Sequence, residues 1–153
     1  GIKRENRLLP WDNDVDLSIN HDQLGKLDHF YSELKKAGYR VRTRNFDETS
    51  EFFTKGNIRM IKIREKQFFG LLKGAVCLDV FIKYQHGQNS YWEIDNKAKF
   101  VPSKFYHSFK HISFKDFDYK IPALTEEYLT YRYGDWQKQV KNWDTSKDDN
   151  AIA

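Results

Sequence analysis

The sequence predicts a fold that mixes α-helices and β-strands within a single domain. Residues 14–19 alternate between polar and apolar side chains, which is the period-two pattern of a strand with one buried face. Residues 21–37 then carry apolar side chains at helical spacing, and Gly38 ends the predicted helix. The length of 153 residues is close to the roughly 150 residues of one domain.

Further elements are predicted along the chain. A short helix is expected over residues 126–133, closed by Gly134. The domain is expected to cover residues 1–136, followed by a polar C-terminal tail at 137–153 in which residues 144–150 are loose. Apolar or alternating runs predict additional strands, over residues 39–44, 52–54, 58–64, 76–84 and 91–94.

Composition excludes several classes of protein. No apolar run approaches the roughly 20 residues that a membrane-spanning helix needs. The chain has 12 Phe, 9 Tyr and 4 Trp, whereas disordered chains hold few aromatic residues. A single Cys excludes an internal disulfide framework and a thiolate zinc cluster. The net charge of +4 suits a negatively charged ligand but is too small to imply nucleic acid.

Three aspartates are the candidates for chemistry. Asp14 and Asp16 share one face of the first strand, about 6.6–6.8 Å apart along it, while Val15 and Leu17 are expected on the buried face. Asp79 lies within an apolar strand, where a carboxylate is costly without a partner such as a metal ion. Mg²⁺ prefers carboxylate and phosphate oxygens, so the set fits a two-metal phosphoryl-transfer site. The alternative is that each acid is a solvated surface residue.

Two other kinds of metal site are disfavoured. A calcium loop of the EF-hand type starting at Asp12 would need Gly at its sixth position and Glu at its twelfth, but Leu17 and Gln23 stand there. His107 and His111 are four residues apart, but no Cys pair or Glu accompanies them in a zinc motif.

Several motifs resemble those of the LicD/fukutin-related family. Gly1 and Arg4 form a Gly-x-x-Arg segment, and residues 9–17 read LPWDNDVDL, similar to the Pro-Trp-Asp-x-Asp-x-Asp strand of that family. Residues 78–81 (LDVF) resemble its later Asp-hydrophobic-Phe strand. Residues 122–136, which end in YGDW, resemble its closing segment. These motifs occur in the family's order over nearly the whole chain.

The resemblance implies a nucleotidyltransferase-like α/β fold of α+β type, with a mixed sheet flanked by helices. It implies an enzyme that transfers phosphocholine, ribitol phosphate or a similar group from a CDP-linked donor to a glycan. Asp14, Asp16 and Asp79 then become the metal ligands and catalytic residues, with Mg²⁺ or Mn²⁺ as the cofactor. The family usually has a Gly-Thr segment before the position of Gly1, so we expect the natural protein to extend further at its N-terminus.

Other roles stay open from the sequence. Asp79 would hold the second metal ion or take the acceptor proton. Arg4 would contact a phosphate or support the Asp strand, and Lys62 and Arg64 are candidate substrate-binding residues or a solvated basic face.

Two alternative functions remain. One is a nucleotidyltransferase that attaches the nucleotide itself. The other is a non-catalytic domain that binds RNA, a phosphoglycan or another anion through the basic residues of one strand, Arg40, Arg42 and Arg44.

The expected partners are therefore a CDP-linked donor and a glycan acceptor, without nucleic acid, and with room for peripheral membrane association. The resemblance places bacterial members at the cytoplasmic side of the membrane and animal members in the Golgi and secretory pathway. The single Cys slightly favours a reducing compartment.

Overall fold

The computed structural model describes residues 1–11, 15–67 and 72–153. The chain divides into two compact units, of which one comprises Gly1–Asp12 with His86–Ala153 and the other comprises Asn13–Gln85. Strands and helices are mixed, so the predicted α+β class is confirmed.

Four strands form the sheet of the unit at Asn13–Gln85. They are β1 (Val15–Asn20), β2 (Arg40–Asn45), β3 (Ile58–Gln67) and β4 (Leu72–His86). Their spatial order is β1-β4-β3-β2. The pair of β1 and β4 is parallel, whereas β3 is antiparallel to both β4 and β2. The predicted strands at 14–19, 39–44, 58–64 and 76–84 correspond to these four.

A helical segment connects β1 to β2, as predicted. It starts as a 3-10 helix at His21–Lys26 and continues as helix α2 (Leu27–Lys36). Gly38 ends it with φ of 86°, a left-handed conformation that glycine adopts without a steric penalty. The amides of Gly38 and Tyr39 donate to the carbonyls of Lys35 and Leu34, which is the hydrogen-bond pattern of a Schellman C-cap.

The core of this unit lies on the apolar face of β3 and β4, where Ile61, Ile63, Val80 and Ile82 are buried. The expected burial of Val15 and Leu17 is wrong, since these side chains are 42% and 43% exposed. Strand β1 pairs with β4 alone among the described strands of this unit, so it is an edge strand. Alternation identifies the side chains that share a face, but it does not say whether that face is covered.

The strand expected at residues 52–54 is also wrong. This stretch is irregular, and its apolar side chains are used in ring packing. The ring of Phe53 stacks on that of Phe46 with centroids 4.3 Å apart, and its edge meets Tyr84 at 6.2 Å. Gly56, with φ of 87°, turns the chain into β3.

The described residues of the second unit form two β-hairpins, two α-helices and a 3-10 helix at Ser103–Tyr106. Strand β5 (Asn89–Ile94), which includes the predicted strand at 91–94, pairs with β6 (Lys97–Pro102). Strand β7 (Phe109–Phe114) pairs with β8 (Phe117–Pro122). Helix α1 (Ile2–Glu5) begins the unit. Helix α3 (Thr125–Tyr133) agrees with the predicted helix and ends at Gly134, with φ of 60°.

The loose segment expected at residues 144–150 is anchored instead. Asp149 is buried and accepts hydrogen bonds from Lys99 of β6 and Arg132 of α3. The amide of Phe100 donates to the carbonyl of Ala151 at 2.7 Å, which adds backbone pairing beside β6. The expectation of a loose segment rested on its polar composition, and it failed because the cations that neutralise Asp149 are distant in sequence.

Candidate functional site

The register of the sheet aligns four charged residues in one row across its strands. Asp16 of β1 is the direct partner of Asp79 in β4. Asp79 is in turn the direct partner of Lys62 in β3, and Lys62 that of Arg42 in β2. Direct partners in a sheet point to the same face, and neighbouring strands are about 4.8 Å apart. The row therefore runs from two acids to two bases, and it brings together three of the predicted site residues.

Asp79 is the buried centre of this row. Its residue is 6% exposed, and its Oδ2 accepts a hydrogen bond from the Lys62 ammonium at 2.7 Å. Its Oδ1 is buried and accepts no hydrogen bond within the described parts of the chain. A buried carboxylate oxygen without a partner carries a desolvation cost. This oxygen, on a residue whose strand partner is Asp16, has the chemistry that a hard cation requires.

Of the acids predicted near the first strand, the structure describes only Asp16. Asp14 lies outside the described residues, and so does Asp12. Asp16 is exposed on β1. Among residues 1–11, 15–67 and 72–153, no group of three or more His, Cys, Asp or Glu side chains is arranged to hold a metal ion. The assignment of Asp14, Asp16 and Asp79 as a three-acid site therefore stays a prediction.

Arg4 belongs to the other unit and has partners there. Its guanidinium donates to the Glu5 carboxylate at 2.6 and 2.9 Å and to the carbonyl of Trp136 at 3.0 Å. The hydrogen bond from Arg4 contributes most to holding the pKa of Glu5 below its ordinary value. These contacts connect helix α1 to the segment after α3. A phosphate contact or a supporting role for Arg4 at the Asp strand stays a prediction.

The basic residues of β2 and β3 share the face of Asp79. Arg40 is the direct partner of Arg64, just as Arg42 is of Lys62, and Arg44 follows on the same side of β2. No side-chain hydrogen bond or ion pair joins Arg40, Arg42 or Arg44 to another described residue. Like charges on directly opposite positions are destabilising, so an anion on this face would be favourable.

The ion pair between Lys62 and Asp79 could not be read from the sequence. From the sequence, Lys62 is a candidate for substrate binding and Asp79 is a candidate metal ligand, with no contact predicted between them. The signal that connects them is the register of β3 against β4, which includes irregularities between Ile63 and Lys66. Local sequence patterns do not encode such irregularities.

A family model described as "LicD/FKTN/FKRP, nucleotidyltransferase domain" matches residues 1–124. The match covers most of the chain and both described acids of the row, Asp16 and Asp79. The chain belongs to this family, and membership supports a transferase role in glycan modification. The matched region ends before the YGDW segment at 133–136. A search of curated proteins finds no match.

No helix within the described ranges is long and apolar enough to cross a membrane.

Proposed function

We propose that this protein transfers a phospho-substituent, phosphocholine or a polyol phosphate, from a CDP-linked donor to a glycan acceptor in a metal-dependent reaction. The observation that carries the proposal is the buried Asp79 carboxylate, whose Oδ1 lacks a partner among the described residues and whose strand neighbour is Asp16. Lys62 satisfies Oδ2 of this carboxylate, but a buried Oδ1 without a partner is costly.

The acids would hold the metal cofactor. Asp16 and Asp79, together with Asp14, offer the carboxylate oxygens that Mg²⁺ or Mn²⁺ binds. When bound, such a cation supplies electrostatic stabilisation of the charge that develops on the donor phosphate. Oδ1 of Asp79 accepts no hydrogen bond from the described residues, and this supports the assignment, because a purely structural ion pair with Lys62 gives no reason for a second, unsatisfied oxygen.

The basic face would bind the donor phosphates. Lys62 of β3 lies beside Asp79, Arg42 follows it in the same row, and Arg64 is two positions along β3 from Lys62. Arginine side chains match phosphate oxygens with two parallel hydrogen bonds. Arg4 is a further candidate, and it would have to rearrange its contacts with Glu5 to bind a phosphate.

The proposed reaction is a displacement at phosphorus. The acceptor hydroxyl oxygen forms a bond to the donor phosphorus that carries the substituent. The bond from that phosphorus to the oxygen bridging it to the nucleotide breaks, and CMP leaves. The hydroxyl proton passes to Asp79 if that acid does not hold the metal ion, and to solvent water if it does.

A transfer assay tests the proposal. The protein is incubated with Mg²⁺, a glycan acceptor and CDP-choline or CDP-ribitol, and phosphorus NMR follows CMP release and the new phosphodiester. We expect Asp79→Asn to abolish transfer, while Asp28→Asn, a change of the same kind at an exposed position of α2, preserves it. Equal transfer by wild type and Asp79→Asn would contradict the proposal.

The same assay separates two alternatives. A nucleotidyltransferase would attach the nucleotide to the acceptor and release the other half of the donor, which phosphorus NMR distinguishes from CMP release. A non-catalytic anion-binding domain is favoured by the arginines of β2, which have no side-chain ion pair among the described residues. Such a domain would show anion binding without turnover and without any dependence on Asp79.

A further inference from the structure

Lys62 occupies the position of a counter-ion at the centre of the candidate site. Its ammonium lies 2.7 Å from Oδ2 of Asp79, and the two residues are direct partners on neighbouring strands. The Asp79 side chain is 8% exposed and that of Lys62 is 27% exposed. The acid is therefore fixed in a buried position, while the base reaches it from a partly solvated one.

The ammonium of Lys62 lies between acids on one side and other cations on the other. On one side is Asp79, with Asp16 beyond it in the row. On the other side are cationic side chains, with Arg42 directly opposite and Arg64 two positions along β3. A second cation at Asp79 would repel the ammonium, whereas an anion on the basic face would attract it. The four-carbon stem of lysine allows the ammonium to move between these positions without a change in the backbone.

We propose that Lys62 is a placeholder for the metal ion at Asp79. Without a cation, the ammonium neutralises the buried carboxylate. When a donor binds, its phosphate takes the Lys62 ammonium from Asp79, and both carboxylate oxygens become available to a divalent cation. Lys62 thereby couples donor binding to metal binding. This inference rests on the proposed function and adds a positioning role for Lys62.

The alternative is that the ion pair of Lys62 with Asp79 is purely structural. The two hypotheses predict different effects of Lys62 removal on metal affinity. If Lys62 competes with the cation, its removal makes metal binding tighter. If Lys62 only fixes Asp79 in place, its removal misplaces the carboxylate and leaves metal binding weaker or unchanged. In the first case, removal of Lys62 also weakens donor binding in the absence of metal, because the wild-type Lys62 is a phosphate ligand.

Titration calorimetry with Mn²⁺ on the nucleotide-free protein measures the first effect. We expect Lys62→Met to bind Mn²⁺ about 5- to 150-fold more tightly than wild type, the usual range of coupling between two sites. Lys62→Arg, which keeps the charge, should stay near wild type, and Lys62→Gln serves if the Met variant does not fold. A second titration, with CDP in the presence of a metal chelator, should show weaker binding for Lys62→Met than for wild type.

Thermal unfolding gives a second readout that does not rely on the heat of binding. Lys62→Met leaves Asp79 buried without its counter-ion, so its melting temperature should decrease in chelator and recover with Mn²⁺ by more than that of wild type. The double variant Lys62→Met/Asp79→Asn should lose this recovery.

The outcomes separate this inference from the proposed function. Unchanged or weaker Mn²⁺ binding in Lys62→Met, with normal binding in wild type, overturns the placeholder role and leaves the proposed function standing. Mn²⁺ binding that is equal in wild type and Asp79→Asn, or absent from both wild type and Lys62→Met, overturns both.

Discussion

Replacement of Asp149 by Ala should strongly destabilise the unit that contains the C-terminal segment. The Asp149 side chain is fully buried, and so is that of Lys99, whose ammonium lies 2.8 Å from Oδ2. Arg132 donates to both oxygens of the same carboxylate. Asp149→Ala would leave Lys99 buried with hydrogen bonds to Thr145 but without an acid.

The expected cost follows from the uncompensated charge. Removal of one partner from a buried ion pair costs about 3–5 kcal/mol of unfolding free energy. In a chain of this size, each kcal/mol lowers the melting temperature by about 2–4 °C, so a decrease of about 6–20 °C is expected. Scanning calorimetry measures it. The matched control is Glu127→Ala, which breaks an exposed ion pair with Lys104 and should cost less than about 1 kcal/mol.

The same residue has a predicted pH dependence. Burial would by itself raise the pKa of the Asp149 carboxyl, but the hydrogen bonds and charges of Arg132 and Lys99 outweigh it, and the pKa lies below its ordinary value of 3.8. A lowered folded-state pKa stabilises the fold above the ordinary value, and this contribution is lost as the pH falls through the folded pKa. Asp149→Asn should lack this loss. If Asp149→Ala and Glu127→Ala had the same unfolding free energy, the stabilising role of the buried Asp149 carboxylate would be refuted.

Three further predictions concern the sheet and its surroundings. Phe53→Ala should cost about 3–5 kcal/mol in urea unfolding, because the ring is buried and stacks on Phe46; a cost like that of a surface change would contradict this packing. Arg42→Thr should raise the unfolding free energy at low salt by about 0.2–1 kcal/mol, because it removes a cation directly opposite Lys62, and a gain that persists in high salt would argue against the electrostatic cause. Gly38→Ala should lower the unfolding free energy by about 1 kcal/mol, because φ is 86° at this helix end. Gly25→Ala, at a helical position with open space for the added methyl group, serves as its control.

Elements defined by local pattern could be predicted from the sequence. The alternation in β1 and the helical spacing before Gly38 reflect backbone geometry, which acts within a few residues. Asp79 could be selected because a charge within an apolar strand is costly wherever the strand lies. The family motifs identified the aspartates as expected metal ligands. The sequence patterns alone also allowed them to be solvated surface residues.

Features that depend on distant partners could not be predicted. The burial of Asp149 requires Lys99, 50 residues earlier, and a polar segment gives no local sign of such a partner. The contact of Lys62 with Asp79 depends on the register of β3 and β4. The exposure of Val15 follows from the edge position of β1, which is a property of the strand order rather than of the strand.

Metal-dependent donor binding at the aspartates can be tested by a single titration experiment. CDP-choline and CDP-ribitol are titrated by calorimetry into wild type and into the Asp14→Ala/Asp16→Ala variant, with and without Mg²⁺. We expect a donor to bind wild type more tightly with Mg²⁺, and we expect the variant to lose this dependence. Donor binding that is indifferent to Mg²⁺, or a Mg²⁺ effect that persists in the variant, would contradict it.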